Sequence, residues 1–598
     1  MSSRTVFTVL AETAARLGDR PALHQPIPKA TGRNKYQIYS WNQYRDIVRE
    51  IATGLRAIGI GKGDIVTVYS ETRAEFYLVD VGIMTNGSIS AALYTSYPMP
   101  EQVRNLRIAQ PKAIIVENEK ALRGLREVLG GEPLDARWII MNGAAEGVLT
   151  LDDLRAAGRR LMSDQPGIFE QIQNGYTDAD TAILYLTSGA TGEPKMGLVT
   201  QSALVTNIDM GPAVLPLNPD DRSVVFLPSA HIAQRVVLEL LPIRMGMPVW
   251  FSEGLAKLPN EFKTIRPTFM LAPPRVWERI YTSIWTEIKK RPGFARKLFY
   301  TSIGYGAEAA RLREEKKPIG PILRAYLRVF DRLVYSKIRE RLGGEMRIAA
   351  SGAAPLGKEL AQFFAAIQMP LIEGYGLTEA GVVSLNPLDR PKSGSIGKLL
   401  PSIEARITDD GELLLKSPCL FSGYYKDPEA TAAVLKDGWL YTGDLGEVDS
   451  EGYFYITGRK KELIVSSNGK KIYPSRIEGL FKAEPIINQV VLIGDKMPYV
   501  TALLTINPAA VETDELKGQP IEQLVTAQPV LSEVQQAVAR VNKQLAGFEQ
   551  IRKFKVLERE FTIETGELTP TMKVRRNKVL ENNRALVSEL YLGKEIAD

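Results

Sequence analysis

Residues 187–195 have a composition that suits the binding of a phosphate group. They read Thr187-Ser188-Gly189-Ala190-Thr191-Gly192-Glu193-Pro194-Lys195 and directly follow residues 183–186, which are typical of a buried β-strand. The glycines let backbone N–H groups approach an anion, the hydroxyl groups donate further hydrogen bonds, and Lys195 supplies a positive charge. The spacing differs from that of a Walker loop, because the lysine does not follow the second glycine. A flexible surface loop is the alternative that this segment alone leaves open.

A second segment, residues 373–379, could serve the base of a nucleotide and a metal ion. It places the ring of Tyr375 between two glycines, with Thr378 and Glu379 close behind. A base could stack on the tyrosine ring. The carboxylate of Glu379 is an oxygen ligand of the kind that Mg²⁺ takes.

Two further segments, taken together, could hold a ribose. Asp444 ends the run Trp439-Leu440-Tyr441-Thr442-Gly443-Asp444, and Arg459 follows after one predicted hairpin. The aspartate is suited to accept hydrogen bonds from ribose hydroxyl groups, and the arginine to contact ribose or phosphate. Taken singly, the two residues are better explained as a turn aspartate and a surface arginine.

In this order, the three segments resemble the acyl-adenylate-forming superfamily, which includes acyl-CoA synthetases, luciferases and the adenylation domains of non-ribosomal peptide synthetases. The resemblance extends from about Val6 to Val579. It implies that the chain uses ATP and Mg²⁺ to activate a carboxylic acid as an acyl-adenylate. The acyl group then passes to a thiol, for which coenzyme A is the expected co-substrate.

The resemblance also assigns residues to the nucleotide. Those expected to hold ATP are Thr187, Ser188, Gly189, Thr191, Lys195, Gly352, Ala353, Ala354, Tyr375, Gly376, Thr378, Asp444 and Arg459. Glu379 is the expected ligand of the metal ion. Thr187, Glu379 and Lys573 are the expected catalytic residues.

Lys573 lies in the segment Leu568-Thr569-Pro570-Thr571-Met572-Lys573-Val574-Arg575-Arg576, which resembles the segment of the family that bears its catalytic lysine. A cation there would stabilise the charge that develops on the carboxylate and the α-phosphate as pyrophosphate leaves. Where the family usually has a glycine directly before this lysine, this chain has Met572. One exposed lysine in a basic tail is the alternative interpretation.

Two further residues concern the movement of the C-terminal domain. In the family this domain swings after adenylation and presents a second face to the site. Lys461 matches the hinge of that movement. Gly469, in the loop Ser466-Ser467-Asn468-Gly469-Lys470-Lys471, would then border a tunnel for the pantetheine arm of coenzyme A.

Two features narrow the substrate class. Residues 279–347 form a basic stretch with interleaved aromatic and leucine residues, and it resembles the insertion of long-chain and very-long-chain acyl-CoA synthetases. His231 lies in a Pro-x-x-His segment that resembles the one beside their acyl tunnel, so it is a candidate gate residue. A buried structural histidine is the alternative. For the insert, a solvated face over a core stripe competes with a basic amphipathic surface that touches anionic lipid.

The elements around these motifs predict an α/β protein. Short apolar runs alternate with helical patterns, as in the predicted helix 42–58, and this favours layered, mostly parallel sheets. Turn signals predict hairpins at 405–415 and 449–455. We therefore expect a large N-terminal domain of layered sheets and helices over residues 1–458, which includes the insert. A small, mobile α+β domain follows over residues 459–598.

Composition excludes several other classes. The 598 residues carry a formal charge of +6, which is mild for this length and gives no nucleic-acid signature. One cysteine and two histidines exclude an internal disulfide and a histidine-rich metal site. The sequence predicts neither a secretory signal nor a spanning helix. A cytoplasmic protein is expected; peripheral contact with the inner membrane face and a homodimer both stay open.

The function predicted from the sequence is that of an ATP-dependent long-chain fatty acid–CoA ligase, with a fatty acid, ATP and CoA as its partners. Two alternatives remain at this point. One is an enzyme that delivers a different acyl-adenylate to a carrier protein. The other is a catalytically silent relative that binds ligands, and the intact motif residues argue against it.

Overall fold

Two mixed β-sheets, covered by helices, form most of the molecule. The computed structural model describes residues 4–30, 32, 35–130, 134–188, 194–511, 514–569 and 572–591. The predicted α/β class is confirmed. In the described residues, no helix is both long enough and apolar enough to cross a membrane.

Sheet 1 has a parallel centre that is buried on both faces. Strands Ile65–Tyr69 and Ala113–Val116 are apolar and buried along their whole length, as expected where helices cover both sides. The sheet ends in an antiparallel pair, in which Thr187 lies opposite Lys195. Its strands are, in spatial order, Leu149–Thr150, Arg137–Ile140, Ala113–Val116, Ile65–Tyr69, Ile89–Ala92, Thr181–Ser188, Pro194–Thr200 and Gly423–Tyr424.

Sheet 2 carries the strand that contains Tyr375. The parallel strands Phe269–Ala272, Ile348–Ser351 and Leu371–Leu377 lie side by side, so their carboxyl ends meet at one edge. Residues that follow parallel neighbours are thereby brought together. The complete order is Tyr36–Ser40, Pro21–Pro26, Val249–Phe251, Ser223–Val225, Phe269–Ala272, Ile348–Ser351, Leu371–Leu377, Gly381–Leu385 and Lys398–Leu399.

Sheet 3 contains both predicted hairpins. Glu404–Ile407 pairs with Glu412–Lys416, and Trp439–Val448 pairs with Phe454–Arg459. The second pair places Asp444 directly opposite Arg459. Strand Leu435–Lys436 completes the sheet beside Trp439–Val448.

The C-terminal part builds its own apolar cores. Strands Ile487–Ile493, Val500–Ile506 and Ile551–Val556 form one sheet, and Ile464–Val465 pairs with Lys471–Ile472. The two apolar clusters of this part consist of residues from 464 onward. Lys573 lies in a short hairpin, in which Leu568 bridges Val574.

The helices mostly cover the sheets, and several begin at side-chain caps. Ser40 caps the predicted helix near residue 42 by accepting a hydrogen bond from the Gln43 backbone, so this helix spans Trp41–Ala57. The other helices before the insert are Val6–Leu17, Ala74–Thr85, Met99–Ala109, Glu119–Leu129, Leu151–Asp164, Ile168–Asn174, Gln201–Val214, Leu241–Met245 and Leu258–Ile265, with a π-helix at Gln234–Leu240.

The insert is helical, as predicted. Its helices are Pro274–Lys289, Gly293–Glu314, Pro321–Phe330 and Ser336–Arg339, with a π-helix at Asp331–Tyr335. The helices that follow it are Lys358–Ala366, Pro428–Val434, Pro474–Leu480, Ile521–Leu524, Gln528–Asn542, Arg576–Asn582 and Arg584–Leu590.

Candidate active site

A cleft of about 2480 Å³ lies between the N-terminal sheets and the C-terminal part. Single small-molecule pockets usually measure about 300–1,000 Å³, so this cleft has room for more than one substrate. Residues from both parts line it, including Tyr375, Glu379, Asp444, Arg459 and Lys573. Residues far apart in the sequence therefore converge on one site.

Tyr375, Asp444 and Arg459 form a hydrogen-bonded network in the cleft. The Tyr375 hydroxyl group donates to Asp444 Oδ2 at 2.6 Å, and Arg459 Nε donates to Oδ1 at 2.9 Å. Burial and the neighbouring Asp444 charge raise the pKa of Tyr375 well above its usual value, so it remains a donor. The carboxylate is thus held by two donors at the position where the sequence predicts ribose binding.

The glycines beside Tyr375 are required by the packing of the next strand. A Cβ atom on Gly376 would lie 2.4 Å from the Gly381 carbonyl oxygen, and one on Gly374 would lie 2.9 Å from Leu385 Cδ1. Both contacts arise because Gly381–Leu385 folds back on the strand. The glycines therefore fix the hairpin that presents the tyrosine, rather than only leaving room for a ligand.

Glu379 is held by Tyr424, a residue that the sequence analysis missed. The Tyr424 hydroxyl group donates to Glu379 Oε1 at 2.7 Å, and Lys195 Nζ lies 4.9 Å from the centre of the same ring. Tyr424 therefore links the lysine of the predicted phosphate segment to the predicted metal ligand. The run Gly423-Tyr424-Tyr425 carries no distinctive signal, because its role depends on pairing with Leu198 in sheet 1.

Lys573 extends into the cleft from the C-terminal part. Desolvation by the surrounding walls and the nearby Arg459 charge lower the pKa of its ammonium group to about 8, against the opposing effect of Asp444 and Glu379. Lys573 is exposed, because the cleft that it lines is open. The structure thus places this exposed lysine at the cleft, and its catalytic role stays a prediction.

The loop after strand Ile348–Ser351 lines the cleft at Ala353 and Ala354. Ala353 has a φ of 71°, a left-handed conformation that is costly for a residue with a side chain. Neighbouring contacts must therefore hold the loop in place. Gly352 is less constrained, since an added Cβ would make only ordinary contacts at 3.6 Å or more.

His231 lies at the inner wall of the cleft with Tyr94, Leu186 and Ile232. Its Nδ1 accepts a hydrogen bond from the backbone of Ala233 at 3.2 Å, which assigns the proton to Nε2. Burial and the charge of Lys573 lower its pKa to about 3, so the ring is neutral. His231 therefore lines the cleft and also accepts a structural hydrogen bond, and its role as a gate stays a prediction.

A buried charged cluster lies behind this wall, and the sequence analysis did not predict it. Asp80 and Arg235 are fully buried and form an ion pair, while Glu239 is 1% exposed beside them. Ser90 Oγ accepts from Arg235 Nη2 at 2.8 Å. The Arg235 backbone N–H donates to the His231 carbonyl oxygen at 3.1 Å. The available signal was the presence of two charged residues, Arg235 and Glu239, on either side of the apolar run 236–238.

The phosphate segment is only partly described. Thr187 and Ser188 are the last residues of the strand Thr181–Ser188, and Lys195 lines the cleft. Gly189 and Thr191 lie outside the described residues. Thr378, on the neighbouring segment, also lines the cleft.

Lys461, the predicted hinge residue, borders the cleft, whereas Gly469, the predicted tunnel residue, lies outside it. Lys461 is in a short 3₁₀-turn, Lys460–Glu462, that borders the cleft. The preceding Lys460 is anchored to Glu412 at 2.9 Å and to Asp410 at 2.6 Å. Gly469, with a φ of 72°, lies in an outer turn that does not line the cleft.

The oxygen donors of the cleft would suit a Mg²⁺ ion whose remaining ligands come from the substrate phosphates. Among the described residues, no group of three or more His, Cys, Asp or Glu side chains could hold a metal. Mg²⁺ commonly takes one or two carboxylates together with substrate phosphates, so the Glu379 carboxylate, which lines the cleft, would be the protein ligand of such an ion. The only cysteine of the chain, Cys419, is buried, and burial raises its pKa to about 11.

Comparisons with known protein families match both parts of the chain. The chain matches the AMP-binding enzyme family over residues 10–425. It also matches the AMP-binding enzyme C-terminal domain over residues 461–595.

Individual relatives cover nearly the whole chain. The long-chain-fatty-acid–CoA ligase FadD15 of Mycobacterium tuberculosis is 35% identical over 91% of this chain and 90% of its own length. The long-chain-fatty-acid–CoA ligase ACSBG2 of Homo sapiens is 27% identical over 98% and 92%. The crystal structure of the anthranilate CoA ligase AuaEII in complex with anthranoyl-AMP has a TM-score of 0.74 at 18% identity and covers 98% of this chain and 99% of its own.

Proposed function

This chain belongs to the AMP-binding enzyme family, and we propose that it is an ATP-dependent long-chain fatty acid–CoA ligase. It would form an acyl-adenylate and pyrophosphate, and then acyl-CoA and AMP. The observation that carries the proposal is the convergence of Lys573, Glu379, Asp444 and Arg459 on one cleft. The relatives named as long-chain ligases support the choice of substrate.

The residues of the cleft suit the first half-reaction. Tyr375 offers its ring to the adenine, and the Asp444 carboxylate accepts from the ribose hydroxyl groups as Arg459 steadies it. The ammonium group of Lys573 would stabilise the charge that develops between the carboxylate and the α-phosphate. Magnesium, held by Glu379 and the phosphates, would neutralise the pyrophosphate leaving group.

For the second half-reaction we propose a movement of the C-terminal domain. Residues 1–458 would form the fixed domain and residues 459–598 the mobile one, with Lys461 at the hinge. The described arrangement, with Lys573 in the cleft and Gly469 outside it, would be the one used for adenylate formation. A rotation about the hinge would withdraw Lys573 and bring Gly469 to the acyl group, where CoA attacks.

The test is pyrophosphate release with ATP and Mg²⁺ over carboxylic acids from acetate to a C20 fatty acid, with and without CoA. We expect release to peak with long chains, and acyl-CoA and AMP to accumulate once CoA is present. Release without acyl-CoA would identify a carrier protein as the acceptor. The absence of release with every acid would contradict the proposal.

A second part of the proposal concerns an exposed face of the insert. Ile322, Tyr326, Val329 and Leu333 are spaced at helical intervals and are 73%, 45%, 52% and 44% exposed. They form a continuous apolar ridge, because residues three and four apart share one face. The opposite stripe, which includes Leu327, packs into the core. Packing into the core therefore accounts for the apolar residues on one side of this helix, but not for those of the exposed ridge.

The charge around the ridge favours an anionic membrane as its partner. Residues 279–347 contain 17 Lys and Arg against 7 Asp and Glu, a formal charge of +10, although the whole chain carries only +6. Arg324, Arg328 and Arg332 are exposed and four residues apart, so they form a second exposed stripe on the same helical segment. We propose that this face docks the enzyme on an anionic lipid surface, where its fatty acid substrate partitions.

Flotation with phosphatidylcholine vesicles, with and without phosphatidylglycerol, tests the docking. Near such a surface each Arg contributes about 1 kcal/mol, so the variant Arg324→Gln/Arg328→Gln/Arg332→Gln should bind anionic vesicles about 100-fold more weakly. The control Arg137→Gln/Arg160→Gln/Lys543→Gln loses the same charge elsewhere and should bind normally. Equal binding by the two variants would contradict the proposal. A change of oligomeric state in Ile322→Ser/Val329→Ser would instead assign the ridge to a contact between copies.

A further inference from the structure

Lys482 connects the C-terminal part to two segments of the N-terminal part. It lies in the 3₁₀-turn Phe481–Ala483, and its Nζ is 3.2 Å from Glu278 Oε1. The same ammonium group donates a hydrogen bond to the Pro355 carbonyl oxygen. One cation therefore bridges the helix Pro274–Lys289 and the loop that lines the cleft.

Glu278 is built to hold this cation. Its side chain is 13% exposed, and Arg275 Nη1 lies 3.1 Å from its second oxygen. Burial opposes ionisation, but the charges of Lys482 and Arg275 outweigh it, and the pKa of Glu278 is lowered. Arg275 also donates to the Asn488 carbonyl oxygen of the C-terminal part at 2.7 Å. Both cations around the carboxylate thus contact residues across the interface.

The loop beneath Lys482 is linked to the nucleotide site. A Cβ atom on Gly357 would lie 3.5 Å from Lys482 Cδ, so the lysine stem packs directly against the loop. The neighbouring Leu356 N–H donates to Glu373 Oε1 at 2.8 Å. Glu373 belongs to the strand that carries Tyr375. Lys482 therefore links the orientation of the C-terminal part to the conformation of this loop and of the strand that carries Tyr375.

We propose that Lys482 is a positioning residue for adenylate formation. Its ammonium group, held between Glu278 and the Pro355 carbonyl oxygen, fixes the C-terminal part in the orientation that brings Lys573 into the cleft. The inference rests on the proposed ligase function. The contact must break when the C-terminal part rotates for CoA attack, so Lys482 serves the first half-reaction and not the second.

The test compares the two half-reactions in Lys482→Met. Acyl-adenylate formation is measured in single turnover from fatty acid and ATP, and acyl-CoA formation from supplied acyl-adenylate and CoA. We expect the first rate to fall about 10- to 100-fold and the second to stay equal or rise. Glu278→Gln should show the same split, and the double variant should be no slower than the slower single variant. Lys482→Arg should recover most of the first rate, and the exposed Lys543→Met should match the wild type.

Four results would overturn the inference: an equal loss in both half-reactions, no loss in the first, additive losses in the double variant, or no recovery with Lys482→Arg. An equal loss accompanied by a lower melting temperature would show that the contact only stabilises the fold. The wild-type chain separates this inference from the function on which it rests. A wild type that forms acyl-adenylate while Lys482→Met is unimpaired overturns the positioning role alone, whereas a wild type that forms none overturns both.

Discussion

Replacement of Lys573 with alanine should lower the rate of acyl-adenylate formation by about 100- to 1000-fold, the loss typical when one stabilising donor is removed from a transition state. The ammonium group points into the cleft beside Asp444, Arg459 and Glu379, where the charged groups of the reaction would meet. Acyl-CoA formation from supplied acyl-adenylate should be spared, because Lys573 would then be outside the site. Rapid-quench measurement of each half-reaction checks both statements.

The matched control is Lys543→Ala, in the same C-terminal part, where the lysine is exposed and does not line the cleft. It should retain the rates of the wild type. If Lys573→Ala slowed both half-reactions equally, the assignment of Lys573 to the first would be wrong.

The pH dependence gives an independent check on the same residue. The pKa of Lys573 is lowered to about 8, so its ammonium form is complete well below pH 8 and is lost as the pH rises through that value. The kcat/KM for adenylate formation, which reports ionisations of the free enzyme, should therefore fall on the alkaline side above about pH 8. His231 adds no transition above pH 5, because its pKa is about 3. Lys573→Arg should remove the alkaline fall.

The second large effect concerns stability. Arg235→Met should lower the free energy of unfolding by about 3–5 kcal/mol, because it leaves the fully buried Asp80 carboxylate without its cation. Beside this pair, burial and the Asp80 charge raise the pKa of Glu239 well above its usual value, and the Arg235 charge opposes that rise. Urea unfolding followed by circular dichroism measures the loss.

Arg311→Met is the matched control, since Arg311 pairs with Glu308 and Glu315 on the surface and is 51% exposed. Exposed pairs contribute about 0–1 kcal/mol, so this variant should unfold close to the wild type. The double variant Arg235→Met/Asp80→Asn should recover much of the loss, because neither charge is then buried alone. A loss for Arg235→Met no larger than that of the control would contradict the interpretation.

The residues of the nucleotide site could be predicted because their signals are local. Tyr375 stands between glycines, and Asp444 and Arg459 flank a hairpin whose turn is evident from Ser450-Glu451-Gly452. Strands such as Ile65–Tyr69 are predictable from the sequence with their observed bounds, since parallel strands buried on both faces are short and uniformly apolar. The helical pattern at residues 532–547 predicts a helix that starts four residues later than the observed helix Gln528–Asn542, because it leaves out Pro529 as a first-turn residue.

The missed residues act through contacts between distant segments. Tyr424 holds Glu379 only because two strands of sheet 1 pair, and Lys482 reaches Glu278 across about 200 residues of sequence. Asp80 and Arg235 belong to separate helical segments that meet in the core. No local periodicity encodes such pairs. The roles of the site residues and the domain boundary at 458 remain predictions for the experiments above.

The buried Cys419 has a consequence for the fate of the acyl group. A ligase of this kind holds a mixed anhydride and then a thioester, and both compounds acylate any accessible thiolate. Cys419 is the sole cysteine of the sequence and is 2% exposed, and its raised pKa keeps the sulfur protonated. The protein therefore offers no thiolate of its own that could divert the activated acid into self-modification. Coenzyme A therefore does not compete with a cysteine thiolate of the enzyme for the activated acyl group.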